Sequence, residues 1–241
     1  MDRLLLRLII LFFSPIHSSS RTGRTPIEVA IAGNHTEIVK FLVLLTRNPN
    51  TLMAGHSDGW AQTHEAALIA NPNTTPNKTG WTQIHEAAHE GNTEIVRILA
   101  PLTKNPNAPD KDGWTPIYLS AMKGFTEIVK ILAALTDNPN STDETGWSPI
   151  HEAATEGYTD IVKILAPLTK NPNFPDKFGN TPIHQAAEWG HIEIVEILSS
   201  FTNQPNVPNH DGASTPIHEA AKNGHIEGNR KLGKILLYLL A

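Results

Sequence analysis

The chain has 241 residues, 39% hydrophobic and 18% charged, enough to bury a sizeable core. Its net charge is −5 with a pI near 6.2, and it carries no basic stripe, which argues against nucleic acid as a partner. It contains no cysteine, so disulfides and thiolate metal sites are excluded, and a reducing, cytoplasmic setting fits.

The chain opens on Leu4 to Phe13, apolar apart from Arg7. A run of about ten residues is too short for a membrane span. Two readings of residues 1–20 stand. One is a signal peptide with Ser18, Ser19 and Ser20 as its cleavage region, which would make the protein secreted. The other is a half-repeat helix. Counting back one repeat length from an alignment of Gly23 on Gly113 places Leu5, Leu6, Leu8, Ile9 and Phe12 on the slots of Ile95, Val96, Ile98, Leu99 and Leu102. Arg7 falls on Arg97, and an Arg inside the apolar run suits a signal peptide poorly, so the half-repeat is favoured.

From there a motif recurs: Gly-Trp-Thr-Pro-Ile-His-Glu-Ala-Ala, then Glu-Ile-Val-x-Ile-Leu, then Asn-Pro-Asn. Thr82, Thr115, Ser148 and Thr181 are 33 residues apart, and Thr215 follows after 34. A fixed period of that size marks stacked units, none of which buries its apolar face alone. The units are residues 21–57, 58–77, 78–110, 111–143, 144–176, 177–210 and 211–241. The second is truncated: His64 to Asn71 spans 7 residues where His85 to Asn105 spans 20, so its second helix is missing. Residues 21–50 are therefore expected to dock poorly on the array that begins near Lys78. The last unit is irregular, with Gly228 to Lys231 interrupting its second helix before an apolar end at Ile235 to Leu240.

Residues 111–143 show the expected anatomy. Asp112-Gly113 is turn chemistry, Thr115 an N-cap, and Pro116 the first helical residue. A short helix runs through Ile117, Leu119, Ala121 and Met122 until Gly124 ends it. Thr126 caps a second helix with Glu127 in its first turn. Its apolar stripe is Ile128, Val129, Ile131, Leu132 and Leu135, and Asn138-Pro139-Asn140 ends it. Ala87, Ala88, Ala153 and Ala154 let neighbouring first helices approach closely.

With Thr-Pro-Ile-His at 181–184 and 215–218, Thr-Pro-Ile-Tyr at 115–118, Ala-Ala before Gly, and Glu-Ile-Val before the second apolar run, the chain resembles the ankyrin-repeat family over residues 21 to about 227. The resemblance implies an all-α solenoid of helix-turn-helix units with protruding, hairpin-like loops. It also implies a concave face of loop tips and first helices that binds protein and has no catalytic activity. Two departures matter. The usual Gly-Ala-Asp-Val-Asn after the second helix reads Thr103-Lys104-Asn105-Pro106-Asn107, so either an Asn takes the left-handed cap or the helix ends differently. Pro101 and Pro167 are expected to shorten their helices.

His85-Glu86-Ala87-Ala88-His89 spells H-E-x-x-H, a zinc-hydrolase motif. Yet His64, His151 and His218 hold the first slot elsewhere, and the second His occurs once, at a variable position with no third ligand signalled. It reads as coincidence. A metal ladder on His85, His151, His184 and His218 fails too, because adjacent helices stand roughly 10 Å apart. These histidines are instead expected to hydrogen-bond the neighbouring loop, as Tyr118 in one such slot suggests. No cofactor is expected.

Carried over from the resemblance, the contact slots flank the turn Gly and precede the helix-ending Gly. They hold Trp81, His89 and Glu90; Lys111, Asp112, Trp114, Met122 and Lys123; Glu144, Thr145, Trp147, Thr155 and Glu156; then Lys177, Phe178, Asn180, Glu188 and Trp189. The recurring Trp81, Trp114 and Trp147 suit an interface hot spot, or else pack on the next loop. Glu90, Glu144, Glu156 and Glu188 favour a basic or mixed-charge partner. Sequons at Asn34, Asn73, Asn77 and Asn140 read as chance, with Asn34 in a tight interhelical turn. Asn107, Asn140 and Asn173 resemble the position that asparaginyl hydroxylases modify in some ankyrin proteins. The functional expectation is a monomeric, non-catalytic scaffold that grips an extended protein segment on the face of residues 78–224. A fragment of a larger array, a secreted repeat protein and, remotely, a zinc hydrolase are the alternatives.

Overall fold

The computed structural model of the chain describes residues 30–47, 80–212 and 214–225. The N-terminal apolar segment, the truncated second repeat with Asn73 and Asn77, and the irregular C-terminus lie outside those residues. After a helical end at residues 30–32 come α1 (Thr36–Arg47), α2 (Gln83–His89), α3 (Thr93–Leu99), α4 (Pro116–Met122) and α5 (Thr126–Ala133). Then follow α6 (Pro149–Glu156), α7 (Thr159–Leu165), α8 (Pro182–Glu188), α9 (Ile192–Ser199) and α10 (Pro216–Lys222). No strand occurs among the described residues.

The helices form two rows. First helices pack side by side in the order α2, α4, α6, α8, α10, and second helices in the order α1, α3, α5, α7, α9. The first helices α2, α4, α6 and α8 also each pack on their own second helix, as α4 does on α5. The core runs between the rows as one strip. Ala87, Ala88, Ala153, Ala154, Ala186 and Ala187 are fully buried and keep the first row close, while Ile95, Ile128, Ile161 and Ile194 fill the space behind them. At roughly 25 cal/mol per Å2 this apolar strip is the main stabilising term, and it grows with every repeat added.

The first helices start for a reason written in each repeat. Thr115, Ser148, Thr181 and Thr215 are N-caps in extended conformation, followed by Pro at the first helical position. That leaves the N–H of the second helical residue to satisfy. The Asn after the preceding loop Pro does it, in Asn-Pro-Asn three times and Gln-Pro-Asn at 204–206: the Ile117, Ile150, Ile183 and Ile217 N–H groups donate to Oδ1 of Asn107, Asn140, Asn173 and Asn206 at 2.9–3.1 Å. Asn-Pro-Asn therefore does not end the second helix, which stops at Ala133 five residues earlier in α5. It starts the next first helix.

Second-helix ends differ from the family pattern in the second of the two expected ways. Among the described residues the sole non-glycine with positive φ is Asn34, so no Asn caps these helices left-handed. At Pro101 and Pro167 the α-helix passes into a 3-10 turn, Ala100–Leu102 and Ala166–Leu168, and α3 and α7 are one residue shorter than α5 and α9. Thr103 and Thr169 hydroxyls then donate to the carbonyls of Leu99 and Leu165 at 2.9 and 2.8 Å. Leu135, beyond the end of α5, is exposed, so it does not continue the buried stripe. Thr126 is the first helical residue of α5 and Phe125 occupies the cap.

Residues 30–47 overturn the expectation of poor docking. Ala30, Ile31, Val39 and Val43 are buried in the common core, α1 packs on α3, and Asn92 Nδ2 donates to the Ile31 carbonyl at 2.7 Å. Elsewhere the residue after the helix-ending Gly makes the same kind of bond backwards: His191 Nε2 to the Thr155 carbonyl at 3.1 Å and His225 Nε2 to that of Glu188 at 2.8 Å. Asn34, with φ 52°, stands in the slot that Gly91, Gly124 and Gly157 occupy in later repeats. The first repeat thus stacks on the third as a regular neighbour.

Candidate functional site

Three loops between repeats are each shaped by one aspartate, and in the fourth Asn209 Oδ1 takes the place, accepting from the Ser214 N–H at 3.2 Å. Asp110 Oδ1 accepts from the N–H groups of Asp112 and Trp114 at 3.0 and 2.8 Å. Asp143 receives Thr145 and Trp147, and Asp176 receives Phe178 and Asn180. Backbone bonds such as Asp110 N–H to the Trp114 carbonyl (2.9 Å) close the turn, and Gly113, Gly146 and Gly179 supply the positive φ it needs. Consecutive tips join edge to edge, since Lys177 N–H donates to the Thr145 carbonyl and His210 N–H to that of Phe178, both at 2.9 Å. The tips are hairpin-like and form a continuous rim beside the first helices.

Behind the rim stands the histidine ladder. The Thr82 N–H donates to His85 Nδ1 at 3.1 Å, which places the ring proton on Nε2, and Nε2 donates to the Trp114 carbonyl of the next loop at 3.2 Å. His151 repeats this with Ser148 N–H at 3.2 Å and the Asn180 carbonyl at 3.2 Å. Thr181 and Thr215 donate likewise to His184 and His218. With Thr or Ser this makes a capping box whose third helical residue is His. Burial lowers the pKa of His85, His151 and His184, with backbone carbonyl bonds opposing it weakly, and brings His151 to about 4. His85 and His151 are neutral braces between repeats; His184 keeps the capping bond, but its buried Nε2 has no hydrogen-bond partner. His85 has no lone pair left for an ion, which removes the zinc reading of the H-E-x-x-H segment on chemical grounds. Among the described residues no group of three His, Asp or Glu is placed to hold a metal.

The tryptophans lie across these rings. Trp81 stacks on His85 (centroids 6.2 Å), Trp114 on Tyr118 (5.9 Å) and Trp147 on His151 (5.0 Å). Trp81 Nε1 donates to Asp110 at 2.8 Å and Trp147 Nε1 to Glu152 at 2.8 Å, the carboxylate that also accepts from Tyr118 Oη at 3.4 Å. All three indoles are half-buried. Sequence reasoning missed these carboxylates: Asp110 lies 29 residues from Trp81, and Glu152 also takes the Tyr118 hydroxyl from the repeat before.

The other contact-slot residues fall where the repeat register puts them. Glu90, Lys111, Asp112, Lys123, Glu144, Glu156, Phe178 and Trp189 are exposed; His89, Met122, Thr155 and Glu188 are half-buried. They share one side of the molecule, along the rim and the C-terminal ends of α2, α4, α6 and α8. Asn107, Asn140 and Asn173 do not belong to it: they are buried caps with Oδ1 engaged, so neither glycosylation of Asn140 nor hydroxylation of the three can proceed without local opening.

A family model of ankyrin repeats in three copies matches residues 52–143, 84–176, 134–209 and 168–238, and one of a single ankyrin repeat matches residues 22–52. The chain belongs to the ankyrin-repeat family. No curated protein matches it. Ankyrin repeats are generally protein–protein interaction modules and typically lack catalysis. In an ankyrin stack the rim and first helices described above are the concave face. Among the described residues no helix is long and apolar enough to cross a membrane.

Proposed function

We propose that this ankyrin array is a non-catalytic scaffold that binds a protein partner on its concave face, between the loop rim and the first-helix row. The observation that carries the reading is the sorting of side chains between the two rows. Outer-row charges pair between repeats at two places, Arg97 to Glu127 at 3.1 Å and Lys163 to Glu193 at 2.7 Å. The concave slots instead present large and charged groups (Lys123, Phe178, Trp189) outward on a rigid frame. Rigid presentation of aromatic and charged anchors lowers the entropic cost of association. The chain is read as a monomer that takes an extended segment of basic or mixed charge, and the repeated slots suit a multivalent grip.

The test is affinity capture from cell extract with the full chain. A concave variant (Lys123→Glu with Glu156→Lys) runs beside an outer-row variant (Lys130→Glu with Asp160→Lys), both checked for native circular dichroism. Partners lost with the concave variant and kept with the outer one support the reading; equal loss or equal retention sinks it.

A further inference from the structure

The concave face is not uniform along the array. Trp81, Trp114 and Trp147 have a face against a neighbouring ring, and two of them commit their N–H to a carboxylate. In the next repeat the aromatics take different slots and no such partner. Phe178, on the loop tip, is 66% exposed, and Trp189, at the C-terminal end of α8, is 56% exposed. Phe178 lies three residues before the N-cap Thr181 and Trp189 is the C-cap of α8, so the helix separates the two in the chain.

Carboxylates surround the pair. Glu144 lies on the tip bonded to that of Phe178, Glu188 adjoins Trp189, and Glu156 holds the Trp189 slot one repeat earlier, tied close by the His191 to Thr155 bond. None of the three has an ion-pair partner among the described residues, in contrast to the outer row. Two cations stand nearby: Lys177 on the same tip, and Lys222 in the Glu188 slot one repeat later, 3.8 Å from Glu219. Two solvent-facing rings amid unpaired carboxylates match cations and apolar groups together: an indole face attracts Lys or Arg, and each carboxylate gains on partial desolvation.

We infer that Phe178 and Trp189 are the hot spot of the concave face, and that they select a basic extended segment carrying Lys or Arg between apolar residues. The tryptophans at 81, 114 and 147 are braces. This rests on the concave face being the binding face. The segment lays apolar side chains on the two rings and directs its cations to Glu144, Glu156 and Glu188.

The experiment is fluorescence anisotropy on the full chain with three labelled peptides: tandem copies of Ser-Leu-Ser-Arg, of Ser-Leu-Ser-Glu, and of Ser-Leu-Ser-Ser. The arginine peptide should bind, more weakly as salt rises, and the glutamate peptide should not. Trp189→Ala, Phe178→Ala and the pair Glu156→Gln with Glu188→Gln should each weaken binding by roughly tenfold while the melting temperature holds, since Phe178, Trp189 and Glu156 are exposed and the change at half-buried Glu188 keeps its size. Trp114→Ala should leave affinity unchanged. No binding of the arginine peptide, or binding indifferent to Trp189→Ala and Phe178→Ala, overturns the assignment. If the neutral or acidic peptide binds and only the Lys123→Glu with Glu156→Lys variant abolishes it, this assignment falls and the concave face stands. If no peptide binds and capture from extract is equal for both row variants, both fall.

Discussion

A histidine at the third position of a helix performs two tasks here, and both require it neutral. Nδ1 accepts from the cap residue's N–H and Nε2 donates to the next repeat's loop, as in His151 between Ser148 and Asn180. An imidazolium would carry a proton on Nδ1 and point it at a backbone donor. Burial enforces the same outcome, holding His151 near 4 and lowering His85 and His184. The folded pKa lies below the unfolded value of about 6.5, so as pH falls the unfolded chain takes up protons first. Stability is therefore full above about pH 6.5 and is lost progressively toward pH 4. His151 alone accounts for on the order of 3 kcal/mol across that window. Urea denaturation between pH 7.5 and 5 should show a falling midpoint, and His151→Tyr, which borrows the solution at Tyr118, should flatten the slope. A midpoint independent of pH would contradict the neutral-brace role.

At the scale of elements, these helices are too short to stand on propensity, since isolated helices below about 12 residues are marginal in water. What starts α8, for example, is borrowed from the previous repeat: Asn173 Oδ1 takes the Ile183 N–H at 3.1 Å while Thr181 and His184 close the capping box. Asn173→Ala removes that acceptor and leaves a buried donor unsatisfied, at a cost of about 1–3 kcal/mol. Asn203→Ala, in an exposed loop, should cost almost nothing. Equal urea midpoints for the two variants would show that the Asn cap is dispensable.

Across the whole molecule, stability is approximately a sum over repeats and their interfaces. The N-terminal repeat therefore depends on one interface, α1 on α3, with Val39 fully buried in it. Val39→Asp should release residues 30–47 while the rest of the array stays folded. Hydrogen exchange is expected to lose protection in α1 and keep it in α5 through α9. Loss of protection throughout would mean the stack is one cooperative unit. The same modularity lets residues far apart in the chain become neighbours, with Asn92 bonded to the Ile31 carbonyl across 61 positions. Stacking needs a matching apolar face and a matching turn, and α1 with Asn34 offers both.

The sequence by itself determined the fold class, the 33-residue period, the first-helix caps and the proline-shortened helices, because each follows from chemistry within one repeat copied at fixed spacing; the histidine bridges followed from the same slot recurring in the next repeat. Tertiary structure decided the rest, and the reason is that those features join residues of different repeats. The docking of residues 30–47 depends on faces that meet only after folding. The role of Asn-Pro-Asn reverses once Asn140 is seen to reach the Ile150 N–H. The tryptophans looked alike at their spacing, yet only packing shows Trp147 lying on His151 with its N–H on Glu152, while Trp189 keeps more than half its surface in solvent.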